Sequence, residues 1–191
     1  MLPENYLLNP LVFLVTTLFS LYILAVMLRF LFQWVRADFY NPVSQFLVKI
    51  TNPPLKYLRR VIPGFAGLDI AAVVLMLILQ MLSMTIILLA QGQAWNPWLL
   101  LLLSVAELVN LAFNVFFFSI LIQALLSWIN PGIYNPVTSI LYSLNEPLLR
   151  PARRLLPPIS GLDLSPLIVI LGLQLAKMLV IPMLQSLAQL G

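Results

Sequence analysis

Residues 40–69 read YNPVSQFLVKITNPPLKYLRRVIPGFAGLD, and residues 134–163 read YNPVTSILYSLNEPLLRPARRLLPPISGLD. Laid over one another at a constant shift of 94 residues, the two need no gap. Both begin Tyr-Asn-Pro-Val, pass a proline and an Arg-Arg pair, and finish on Gly-Leu-Asp. From Trp34/Trp128 to Asp69/Asp163, fourteen of thirty-six aligned positions are identical. Unrelated segments of ordinary composition agree at roughly two to four such positions. The chain is therefore a duplication, and its polar residues gather in the duplicated segment. Almost everything outside it is apolar.

The 191 residues are 62% hydrophobic and 8% charged, against about a quarter charged in soluble domains. Such a chain cannot cover its own surface with polar groups, so lipid is its solvent. Net charge is +4, and its placement matters more than its size. Arg36, Lys49, Lys56, Arg59 and Arg60 lie in or just before the first copy, and Arg150, Arg153 and Arg154 in the second. Cations clustered beside apolar spans report topology and excludes nucleic acid as the expected partner. Cysteine and histidine are both absent. That removes disulfides, Cys/His zinc sites, Cys or His nucleophiles and imidazole haem ligation, so no cofactor, metal site or catalytic residue is expected. Glu4 in place of a basic leader, with no small-residue cleavage site after the apolar run, argues against a cleavable signal peptide.

Four spans follow from the apolar runs: about residues 7–35, 70–90, 98–128 and 164–187. Residues 11–28 carry no charge and cover about 27 Å, close to the hydrocarbon thickness. Arg29 then sits near an interface, reading as a cation whose stem lies in the apolar zone and whose head reaches water, or else as a functional charge. After each first span comes a short amphipathic helix, started by Asn41-Pro42 or Asn135-Pro136. Val43, Phe46, Leu47 and Ile50 recur at helical spacing, as do Val137, Ile140, Leu141 and Leu144. Too short to cross and ended by Pro53-Pro54 in the first copy, this helix is expected to lie in the membrane plane. A basic turn follows it, Lys56-x-x-Arg59-Arg60 or Arg150-x-x-Arg153-Arg154. Asp69 and Asp163 then stand where a carboxylate caps the next span, with Ser165-Pro166 a competing start in the second copy.

The two loops inside the repeats hold eight of the ten Lys/Arg and the turn at 91–97 holds none. By the positive-inside rule the loops are cytoplasmic and both termini periplasmic. Two spans per copy mean that both copies enter the membrane with the same heading. The expected fold is all-α: four transmembrane helices in two parallel repeats, 1–93 and 94–191, each with an interfacial helix in its cytoplasmic loop.

One intramembrane constellation stands apart. Glu107, about 15 Å into the third span, and Lys177, about 20 Å into the antiparallel fourth, reach comparable depth. An unpaired charge there is costly, so the two are expected to face one another or share a polar pocket with Asn110 and Asn114. Positions 107, 110 and 114 share a helical face. This set reads as a clamp between helices or as part of an ion pathway. Likewise the basic turns, Lys56, Arg59, Arg60, Arg150, Arg153 and Arg154, read as topology signals attracted to anionic lipid, or as a docking surface for a partner.

The repeated residues resemble the YggT family of small membrane proteins. They stand here as Tyr134-Asn135-Pro136, Glu146-Pro147-Leu148-Leu149-Arg150-Pro151-Ala152-Arg153-Arg154, Leu156-Pro157 and Gly161-Leu162-Asp163. The first copy, from Tyr40-Asn41-Pro42, is looser, with Lys56 for the first arginine and Tyr57 for the proline after it. The resemblance covers essentially the whole chain, in the duplicated form typical of proteobacteria. It implies a bacterial inner-membrane protein without agreed enzymatic activity. Relatives are linked to salt and osmotic tolerance, to envelope and division-site organisation and, in plastids, to cofactor insertion into cytochromes. Two functions are carried forward: a non-enzymatic scaffold or assembly factor, associating with a partner or with further copies of itself through its cytoplasmic face, and an ion- or osmolyte-linked conductance.

Overall fold

The computed structural model describes residues 8–65, 67–92, 96–129, 135–155 and 163–189. Six helices follow in order: α1 (Leu8–Trp34), α2 (Pro42–Val61), α3 (Ile70–Ala90), α4 (Pro97–Ile129), α5 (Pro136–Leu155) and α6 (Ser165–Gln189). Four of them, α1, α3, α4 and α6, are long and apolar enough to cross a membrane. The helices alternate span, amphipathic helix, span, twice over. This is an all-α, multi-pass membrane protein built from two repeats. Glu4, the turn centre at 93–95, Tyr134 and the motif residues at 156–162 lie outside the described residues.

The helices after α1 start where the sequence supplies a partner for exposed backbone N–H groups. Asn41 Oδ1 accepts from Val43 N at 2.9 Å with Pro42 in the first helical position. Asn135 does the same for Thr138 N at 2.9 Å, and the Thr138 hydroxyl oxygen in turn accepts from Asn135 N at 2.9 Å. The span α1 ends with Ala37 N bonded to Phe32 O and Arg36 N to Gln33 O, a closing turn that puts Arg36 at φ 54°. Gly67, at φ 81°, makes the turn in which Phe65 and Leu68 exchange backbone bonds before α3.

The amphipathic helices correct the expectation of a short run ended by prolines. Both have 20 residues, about 30 Å, and run straight through Pro53-Pro54 and through Pro147 and Pro151. A proline removes one N–H and strands the carbonyl four residues back. The Tyr22 hydroxyl donates to Ile50 O, the carbonyl that Pro54 strands, at 3.2 Å. With that group satisfied and the helix held against α1, the break does not occur. The Arg-Arg pairs therefore sit in last helical turns, where the C-terminal carbonyls favour cations.

The inward face also differs from the apolar stripe read from the sequence. In α2 it is Ser44, Leu47, Thr51 and Leu55 that are buried, while Phe46 is 61% exposed. In α5 Thr138 and Asn145 are buried with Ile140, Leu144, Leu149 and Ala152, and Val137 is exposed. Thr51 and Asn145 turn inward because Arg29, and Gln123 with Ser119, meet them there from the spans. Phe46 is free to face lipid, which accepts it as readily as a core would.

The core lies mainly in the first repeat, where Ile23, Val26, Leu55, Ala71, Ala72 and Met76 close α1, α2 and α3 on one another. The alanines allow α3 to approach closely. Within the second repeat α6 packs along α4 while most of its large side chains stay exposed to lipid. Between repeats α3 packs on α4, whereas among the described residues α6 does not touch α1. The copies thus join head to tail. Asn41 ties the junction, its Nδ2 donating to Pro136 O, the counterpart of its own Pro42, at 2.7 Å. The Trp34 and Phe116 rings meet edge to face nearby.

Candidate functional site

Consider first the basic helix ends. Arg59 turns back onto Asp69, with Nε 3.4 Å from Oδ1 and a closer contact from the terminal nitrogen to Oδ2. Arg153 does the same with Asp163, its Nε 2.9 Å from Oδ2, and also holds Glu146 at 3.0 Å. Asp69 is the N-cap of α3 and its side chain also accepts from Ala72 N. Asp163 accepts from Ser165 N at 2.9 Å, so α6 begins at Ser165 with the aspartate bracing it. The two aspartates are thus caps and ion-pair partners at once. Each arginine–aspartate clip fastens the end of an amphipathic helix to the start of the next span.

Sequence reasoning treated both arginines as surface charge and missed the clips. The signal was present: Arg and Asp are identical in both copies and ten residues apart in each. Of the six basic-turn cations, Lys56, Arg60, Arg150 and Arg154 are exposed and stand outside the clips. Arg60 lies 5.6 Å from the centre of the Tyr57 ring, a cation–π contact.

A second brace joins each amphipathic helix to the first span of its repeat. Arg29 Nη1 donates to Thr51 Oγ1 at 2.7 Å. At the matching positions Asn145 Nδ2 donates to Gln123 Oε1 at 2.8 Å, and Ser119 Oγ donates to Asn145 Oδ1 at 2.6 Å. The same places on the fold carry a cation in one copy and a neutral amide pair in the other. Asn145 is wholly buried, so Gln123→Leu strands its amide at about 1–3 kcal/mol, seen as a lower unfolding midpoint in detergent. Gln123→Leu/Asn145→Leu is expected to recover most of that loss. An unchanged midpoint for Gln123→Leu would show that the amide pair contributes nothing.

The intramembrane set divides differently from the pair expected. Among the described residues no ion pair joins Glu107 to Lys177. Lys177 Nζ donates to Asn114 Oδ1 at 2.6 Å, and Asn110 Nδ2 donates to Glu107 Oε2 at 3.2 Å. Asn114 lies seven residues beyond Glu107, about 10 Å along α4, so the lysine meets the helix at a different depth from the glutamate. Asn110 Oδ1 is buried and has no partner. The four side chains form two hydrogen-bonded couples along one face of α4, and the Lys177–Asn114 couple ties α6 to it.

The profile of one family, described as CCB3/YggT, matches residues 8–90 and again residues 102–184. The chain belongs to the CCB3/YggT family. Each match contains a span, an amphipathic helix, its clip and a second span. An uncharacterized protein of Pseudomonas aeruginosa is 47% identical over 172 residues, covering 89% of this chain and 87% of its own. One of Vibrio alginolyticus is 41% identical over 173 residues, covering 90% and 93%. The uncharacterized protein YggT of Escherichia coli K12 is 38% identical over 178 residues, covering 93% of each chain. No solved structure matches the chain. These CCB3/YggT relatives carry no enzymatic name.

Proposed function

We propose that this CCB3/YggT protein is a non-enzymatic scaffold or assembly factor of the bacterial inner membrane, docking a protein partner or further copies of itself through a basic cytoplasmic face. In this arrangement α2 and α5 lie along the membrane plane against anionic lipid, and both termini are periplasmic. Residues 1–93 and 94–191 act as two linked units. One observation carries it: Lys56, Arg60, Arg150 and Arg154 remain exposed on helices whose direction is fixed by internal clips and by the Asn41 junction. A presented, rigid cationic surface suits recognition better than topology alone requires.

The test is neutralisation of Arg60 and Arg154 to glutamine, which leaves Arg59 and Arg153 on their aspartates. Crosslinking from residue 61, exposed at the same helix end, should lose its partner band about tenfold in native membranes, since rim charges of this kind contribute on the order of 1 kcal/mol or more together. Accessibility labelling should find the loops on the same side as before. Full crosslinking in the variant, or an inverted orientation, would remove the docking role.

A second reading, an ion- or osmolyte-linked conductance used under osmotic or salt stress, is favoured by the unpartnered Asn110 Oδ1 beside Glu107. A conductor needs a continuous wet path. Liposome flux that depends on Asn110 would favour this reading over the scaffold.

A further inference from the structure

A cavity of about 700 Å³ opens in the first repeat where the end of α1, the start of α2 and the loop before α3 come together. Arg29, Arg36 and Arg59 line it with Gln33, Ser44 and Asp69. Three cations against one anion leave a charge of +2, and that anion is already engaged by Arg59. The Arg29 guanidinium uses one nitrogen on Thr51 and Val48 O. Its other N–H groups, and the Arg36 guanidinium, have no partner among the described residues. Ser44 is only 7% exposed, and its Oγ has no partner. A buried hydroxyl and two guanidinium groups outside any ion pair, turned on one space, suit an anion with several acceptor oxygens.

The second repeat has lost this chemistry. Gln123 stands in place of Arg29, Asn130 in place of Arg36 and Thr138 in place of Ser44. Gln123 spends its oxygen on Asn145, and the Thr138 hydroxyl donates to Asn135 O at 3.0 Å. The charge is therefore no requirement of the fold, because the same brace forms without it. Arg36 adds a further sign, since it occupies a left-handed position at φ 54° where glycine costs less.

We propose that this cavity binds the phosphate of an anionic membrane-lipid headgroup, held by Arg29, Arg36 and Ser44. Arg29 directly follows the uncharged run 11–28, which covers about 27 Å of helix, so it stands at the hydrocarbon boundary beside the headgroup layer. Phe32, Phe39 and Leu47 line the same cavity, an apolar wall for the glycerol and first acyl carbons. A free phosphate would have no use for that wall. The site extends beyond the docking surface, and its determinants are untouched by the Arg60/Arg154 variant, so either idea can fail alone.

The full chain, purified in mild detergent and delipidated, is offered phosphatidylglycerol or phosphatidylcholine, and retained lipid is counted by native mass spectrometry. The protein should keep one phosphatidylglycerol and release phosphatidylcholine. Arg36→Gln should cut that retention about tenfold, the effect of one charge-assisted contact. Arg29→Gln/Thr51→Asn, which transplants the second repeat's neutral brace, should cut it as much while unfolding at the wild-type temperature. Arg154→Gln should leave it unchanged. Undiminished retention in Arg36→Gln would overturn the proposal, as would equal loss in Arg154→Gln. Stabilisation by inorganic phosphate without anionic lipid, abolished by Arg36→Gln, would place the ligand in the aqueous phase and overturn the lipid assignment.

Discussion

Asp69→Ala is expected to lower the thermal unfolding midpoint in detergent by about 5–10 °C, and the matching Asp163→Ala by about 2–3 °C. The positions are equivalent in sequence and unequal in surroundings. Asp69 is 5% exposed and receives both Arg59 and the Ala72 N–H. Losing the cap costs about 1 kcal/mol, and stranding a charged hydrogen-bond partner adds about 1.5–3 kcal/mol. Asp163 is 30% exposed, and Arg153 keeps Glu146 when it goes, which limits the loss to about 1 kcal/mol. Burial alone would push the Asp163 carboxyl up, but the bond from Ser165 N and the pairing with Arg153 outweigh it and hold the group below its ordinary value. A carboxylate shifted downward stabilises the fold above its unfolded pKa of about 3.9, and that contribution disappears as pH falls through the lower folded value. The wild-type advantage over Asp163→Ala should therefore start to shrink at about pH 4 and be lost only further down, as the folded carboxyl takes up its proton. Equal losses in the two variants at neutral pH would mean that burial of Asp69 does not set the strength of its clip.

The duplication and the four spans were legible because lipid imposes a simple rule: long uncharged runs cross, and cations mark one side. The amphipathic helices were less legible, for two physical reasons. Pro53-Pro54 reads as a stop only while Ile50 O lacks a donor, and the donor, Tyr22, comes from another helix. The apolar stripe through Phe46 looks like a core face in water, but beside a bilayer either face of such a helix has an apolar neighbour. Polar matching then decides, and Thr51 and Asn145 go inward to Arg29 and Gln123. The caps on Asp69 and Asp163 were readable from position, whereas their pairing with Arg59 and Arg153 needed the ten-residue repeat to be compared as a contact. Depth counting brought Glu107 level with Lys177, yet the lysine side chain reaches Asn114 instead, and residue spacing does not fix where an amine on a long flexible stem ends.

Removing Asn114 should harm the protein more than removing Lys177. In Asn114→Leu the ammonium stays on α6, deep in a hydrocarbon layer, without its acceptor at 2.6 Å. A cation so stranded costs about 2–4 kcal/mol, less what it regains by bending toward water. Lys177→Leu removes the charge itself and leaves a neutral amide oxygen open, a loss of about 1 kcal/mol. The double variant Asn114→Leu/Lys177→Leu buries two apolar side chains against one another and should unfold near the wild-type midpoint, a coupling that a thermal double-mutant cycle reads directly. If the lysine alone proves as damaging as the asparagine, and the double variant recovers nothing, the bond does not join α4 to α6. The double variant also separates the two uses of this bond. A clamp survives replacement by apolar packing with its activity intact, because the helices still meet. An ion pathway does not, because the polar step is gone although the fold stands.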